Sequence, residues 1–161
     1  MISMAGYKIS CSVSVLIVMA VGVLIGVSGI MSEQVEFLLH NYKINFVPTE
    51  ISLEEDIVVL VAAFGVFLEH RCYLINKAYP IDIPKSVELI DKYSHKIGIF
   101  LILLAVFMEM IDLLFLAVNN WGMSFLTLNF IEVSILFSLN VIVSIIILRY
   151  LFEIILIKIK T

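Results

Sequence analysis

The sequence predicts an all-α integral membrane protein, with four transmembrane helices in one bundle and both termini on the cytoplasmic side. Three observations lead there: an excess of apolar residues, four separate apolar runs of spanning length, and a lopsided distribution of basic residues. Of 161 residues, 62% are hydrophobic and only 15% charged, with a mean hydropathy of +1.13. That is more apolar material than a water-soluble domain of this size can hide. The length leaves room for one compact unit, so residues 1–161 are read as a single four-span domain.

A helix needs roughly 20 mainly apolar residues to cross a hydrocarbon core of about 30 Å. The first span, 11–30, contains Gly22-Val-Leu-Ile-Gly26, with Gly29 three residues on. Small residues at this spacing let two backbones approach closely in lipid, where packing drives association. Gly22, Gly26 and Gly29 are therefore expected to pack against a neighbouring helix, of this chain or of another subunit. An acidic loop, 31–56, follows, in which Lys43 stands against Glu33, Glu36, Glu50, Glu54, Glu55 and Asp56. Ser52-Leu53-Glu54-Glu55 fits a capping box ahead of the second span, 57–75, and Pro48 separates it from the loop.

The second span interrupts its apolar run at Glu69-His70-Arg71. Glu69 shares a stripe with Ala62, Gly65, Cys72 and Asn76, which predicts a protein-facing side. Arg71 points away from it and is expected to snorkel to the headgroups. The next loop, 76–96, is basic, broken by Pro80 and Pro84, and its Val87, Ile90 and Tyr93 recur every third residue. That pattern predicts a short helix lying on the membrane surface. The third and fourth spans, 97–118 and 123–148, are joined by the uncharged link Asn119-Asn120-Trp121-Gly122.

Orientation follows from Lys and Arg, which concentrate on the cytoplasmic side. Nine of the ten lie near or beyond the same ends of the spans, namely Lys8, Arg71, Lys77, Lys85, Lys92, Lys96, Arg149, Lys158 and Lys160. The 31–56 loop is thereby expected outside, with the protein in the cell's inner membrane.

Carboxylates inside apolar spans carry the functional signal. Met108-Glu109-Met110-Ile111-Asp112 places two acids on one helix face, and the fourth span supplies Asn129, Glu132, Asn140 and Ser144 within one sector. Counting 57 and 118 as a common outer level brings Glu69, Glu109 and Glu132 to similar depth. A charged side chain there costs at least about 2.5 kcal/mol and normally faces the bundle interior or a watery cavity. Several acids with no base at their level cannot all be ionised cheaply, so protons or a small cation should neutralise some of them. Glu69, Glu109, Asp112 and Glu132 are the expected ion or proton site, with His70, Asn129 and Asn140 as polar support.

The function expected is a self-assembling bundle that conducts or senses protons or monovalent cations. A non-transporting accessory, sensor or immunity-type subunit acting through a partner is the alternative. A membrane enzyme with its site near Glu69 and His70 is the third reading. No catalytic triad, phosphate loop or dithiol motif is present, and Cys11 and Cys72 read as small apolar fillers. No cofactor, resident metal or nucleic-acid partner is expected. The expected partners are the lipid bilayer and either further copies of the chain or a larger membrane complex.

Overall fold

The computed structural model describes residues 12–40, 52–79, 83–120 and 125–160. Side chains at 40, 52–56, 119–120 and 125–129 lie outside that description, and with them the capping box and Asn129. Four helices account for nearly all of it: α1 (Val13–His40), α2 (Ser52–Ala78), α3 (Lys85–Asn120) and α4 (Phe125–Lys160). No strand occurs among the described residues, and all four helices are long and apolar enough to cross a membrane. Each helix packs on its neighbours in the chain, and α4 returns to α1 to close a ring of four.

The helices outrun the apolar runs that predicted them. α1 continues ten residues past Ile30 to His40, and α4 continues past Leu148 to Lys160. No proline occurs in either stretch, and neither carries a glycine there, so the backbone has no reason to stop. The expected surface helix at 85–93 is not separate. It is the first part of α3, a continuous helix of 36 residues, because no Gly or Pro lies between Lys85 and Ile97. Its start is set by Pro84, whose carbonyl accepts from Val87 N and Glu88 N at 2.9 and 3.1 Å. α1 begins at Ser12, whose Oγ accepts from Val15 N at 3.3 Å, an N-cap contact.

Buried positions recur at alternating steps of four and three. On α1 they are Leu16, Ala20, Val23, Val27, Ile30 and Gln34; on α2, Ile57, Val61, Phe64, Leu68, Arg71, Ile75 and Ala78. A 3.5-residue period keeps one seam turned toward the partner helices, the geometry of bundles crossing at about 20°. The seam passes through polar residues on every helix: Gln34, Arg71, Ser94 and Asn140 are all buried. Outside the seam, apolar side chains such as Val18, Leu103, Leu114 and Ile145 stay exposed, as a lipid-covered surface allows. Serine hydroxyls on these faces bond back to their own helix, as Ser28 does to the Ile25 carbonyl at 2.8 Å and Ser134 to that of Phe130 at 2.7 Å. Neither hydroxyl proton needs water.

The closest approach joins α2 and α3. A Cβ added at Gly98 would lie 2.6 Å from the Gly65 carbonyl oxygen and 2.7 Å from Glu69 N, and one added at Gly65 would lie 2.9 Å from the Gly98 carbonyl oxygen. Both clashes are with backbone, which cannot swing aside. Of the glycines expected to pack, Gly26 faces Leu60 Cδ2 at 3.0 Å, whereas Gly22 and Gly29 have nothing within 4 Å of an added Cβ. Within one chain, then, the backbone-to-backbone approach that small residues permit is made by α2 and α3, not by the glycines of α1.

Gly65→Ala and Gly98→Ala should each lower stability by roughly 1–3 kcal/mol, the usual cost of overpacking, while Gly22→Ala should not lower it. Thermal melting of the purified chain in mild detergent, followed by helical circular dichroism, reads the difference.

Candidate functional site

The end of the bundle near Gln34 holds a small pocket with mostly apolar walls and a contribution from every helix. α1 gives Gln34 and Ile30, α3 gives Glu109, Asp112 and Met108, and α4 gives Asn140 and Leu136. α2 closes it with Ile57 and Val58. The cavity measures about 10 Å³, close to the least that admits one water-sized guest. Glu109 and Asp112 share a face because they are three residues apart on a helix. Asp112 is half-buried and Glu109 is exposed at the pocket's rim. Asn140 is 2% exposed and donates from Nδ2 to Gln34 Oε1 at 3.2 Å. Its own Oδ1 is buried and has no hydrogen-bond partner. One turn further along α4, Ser144 Oγ reaches the Asn140 carbonyl at 2.9 Å and Met31 Sδ at 3.7 Å.

The structure thus brings together Glu109, Asp112 and Asn140 from the expected set, while Glu69, His70 and Glu132 do not line the pocket. Glu132 is half-buried and engaged with another group, one turn of α4 beyond Leu136. Glu69 is half-buried beside Gly98, eleven residues of α3 from Glu109, or about 16 Å along the axis. The common-level assumption misplaced it, because Ile57 packs opposite Met108 and Asp112 rather than opposite Val118. His70 is exposed and lies against the Tyr73 ring at 5.2 Å, with Lys77 Nζ 4.7 Å above the same ring. That stack is an interfacial arrangement of aromatic and cation, remote from the acids of the pocket. Asn129 lies outside the described side chains. Among the described residues, no three His, Cys, Asp or Glu side chains cluster as a metal site.

Gln34 was not expected, since the apolar run ends at Ile30. It occupies the next seam position after Leu16, Ala20, Val23, Val27 and Ile30, and that spacing is the signal that finds it. The same holds for Arg71, which was expected to snorkel and is instead 0% exposed. It sits on the α2 seam between Leu68 and Ile75 and acts electrostatically on Asp91 of α3 and on Tyr150 of α4. An opposite charge inside the protein replaces the headgroup that snorkelling would have reached.

Around Arg71 the bundle is tightly filled. Tyr150 is 0% exposed, stacks on Tyr93 at 5.9 Å and meets the Phe64 ring edge-on at 6.2 Å. Its hydroxyl lies 2.8 Å from Ser94 Oγ. Ser94 gives its single proton to the Ile90 carbonyl at 2.7 Å, so Tyr150 is the donor to Ser94. Cys72, expected as a small apolar filler, is exposed. Asn76 Nδ2 reaches its sulfur at 3.8 Å. The stripe through Glu69 therefore faces α3 at Gly65 and is exposed at Cys72 and Asn76.

No protein-family model matches the chain, and neither a curated protein nor a solved structure is similar to it.

Gln34 and Asn140 should be energetically coupled across α1 and α4. A double-mutant cycle of Gln34→Leu and Asn140→Leu, read from melting in detergent, should return about 0.5–1.7 kcal/mol, the range of interhelical hydrogen bonds in membrane bundles. A coupling near zero would show that the two amides do not meet.

Proposed function

We propose that this protein is a multi-pass membrane protein that senses a small cation or proton in the pocket formed by Gln34, Glu109, Asp112 and Asn140. The observation that carries the reading is the meeting of two carboxylates with the unpartnered, buried Oδ1 of Asn140. A proton or a small cation is the guest that acids and an unpartnered amide oxygen at one small cavity favour over an anion or an apolar molecule.

The basic residues set the orientation. Nine of ten fall on one side, which puts both termini in the cytoplasm and the Gln34 end outside, where extracellular ions have direct access. Glu33 and Glu36, exposed beside Gln34 on the last turns of α1, raise local cation concentration at that end.

Sensing is favoured over passage through a single chain by the Arg71 end. A cation leaving the pocket along the bundle axis would meet the Gly65–Gly98 contact, then a buried guanidinium and the Phe64, Tyr93 and Tyr150 rings. The rings and the guanidinium, beside its counter-charge Asp91, fill the space a passing cation would need. Conduction would therefore require several chains arranged around a shared path. Sensing needs only that a filled pocket change how α1, α3 and α4 pack.

Amide hydrogen exchange of the chain in liposomes tests the reading. Protection near Asn140 and Gln34 should change with external pH or cation concentration, and the change should shrink at least tenfold in Glu109→Gln and Asp112→Asn. Exchange that is identical in parent and variants under every condition contradicts sensing at this pocket. Proton or sodium flux through the parent at low protein-to-lipid ratio, where chains are single, contradicts the preference for sensing over conduction.

A further inference from the structure

We infer that the exposed face of α3 around Lys92 and Lys96 holds an anionic phospholipid, its phosphate against the two lysines and an acyl chain along the apolar face beyond them. This lipid site lies about 20 Å along α3 from Glu109 and is independent of the pocket's guest.

One stripe of α3 stays uncovered by the other helices. In steps of three or four residues, the spacing of a single helix face, it passes through Lys85, Leu89, Lys92 and Lys96 and then through Phe100 and Leu103, all of them exposed. The stripe thus turns from basic to apolar between Lys96 and Phe100, at the start of the apolar run from Ile97. A lysine at that boundary can lay its stem on apolar surface while its ammonium reaches a headgroup phosphate.

Distance selects the pair. Lys92 and Lys96 are one turn apart, about 6 Å along the axis, which fits within a headgroup layer roughly 5–8 Å deep. Lys85 is about 16 Å from Lys96 and lies beyond that layer.

Charge selects the lipid. No Asp or Glu occurs from position 92 through 100. Asp91 is half-buried and interacts with the buried Arg71, and Glu88, a turn before Lys92, is farther from the membrane than either lysine. Two ammonium groups with no acid at their level match a phosphate of net negative charge and repel the cation of a zwitterionic headgroup. On the orientation proposed above, this end meets the cytoplasmic leaflet, where anionic lipids gather. A second copy meeting this stripe through its own would bring like charges together.

Quenching of a single tryptophan by brominated lipid tests the site in the full chain. Trp121 is the only tryptophan; Trp121→Phe with Leu103→Trp moves the reporter to an exposed position of the stripe, about 10 Å from Lys96. In phosphatidylcholine liposomes, brominated phosphatidylglycerol should half-quench it at a mole fraction at least about fivefold below that of brominated phosphatidylcholine. Lys92→Gln with Lys96→Gln should abolish the difference, and Lys92→Arg with Lys96→Arg should keep it. Lys158→Gln with Lys160→Gln removes the same charge elsewhere and should also keep it. Equal quenching by the two lipids, or a difference that survives the loss of Lys92 and Lys96, would overturn the assignment. A reporter shielded from both lipids would show that protein covers the stripe, and would overturn it too.

Discussion

The contact of Gly65 with Gly98 sets the arrangement of everything else in the bundle. Backbone meets backbone there, with no space for even a methyl group, so α2 cannot slide along α3 by a turn without a clash. In lipid, where apolar surface gains nothing by leaving its solvent, such close packing is a principal source of helix association. The register it imposes places Glu69 beside Gly98 and Ile57 beside Met108 and Asp112. One acid is thereby separated from the two that share a pocket.

Polar residues on the seam divide the molecule into two chemically distinct ends. At one end Gln34 and Asn140 join α1 to α4 beside two carboxylates. At the other, Arg71, Asp91, Ser94 and Tyr150 tie α2, α3 and α4 together around a buried cation, with aromatic rings filling the space. The first brings two acids and two amides to the edge of one small cavity; the second supplies its own positive charge and is filled. The contrast is what gives the bundle a direction, and it is the physical basis for proposing ligand binding at one end and closure at the other.

The four helices were legible because an apolar run of about 20 residues is too long for a buried strand and matches the thickness of the hydrocarbon core. Their ends were not, since hydropathy marks where lipid stops while a helix stops where the backbone is broken. Gln34 stood beyond Ile30 for that reason, and the segment from Lys85 looked like a separate surface helix although nothing interrupts it before Ile97. Glu109, Asp112 and Asn140 were visible as polar residues in apolar surroundings, and the structure places them together. Which face of each helix is buried was hidden, because lipid-facing and seam positions are equally apolar in this chain. Arg71 shows how that misleads: at the edge of an apolar run a cation is expected to reach for headgroups, yet its place between Leu68 and Ile75 puts it on the buried seam. The relative level of α2 and α3 was hidden too, for it depends on two glycines that neither helix marks as special when taken alone.

Cross-linking in membranes measures that level directly. In a chain with Cys11 and Cys72 replaced by Ser, Ile57→Cys should form a disulfide with Met108→Cys and not with Val118→Cys, because the Gly65–Gly98 register sets position 57 opposite the Glu109 pocket. Efficient bridging of 57 to 118, with none to 108, would align the two helices by their ends instead, and would return Glu69 to the level of Glu109 and dissolve the pocket on which the functional reading stands.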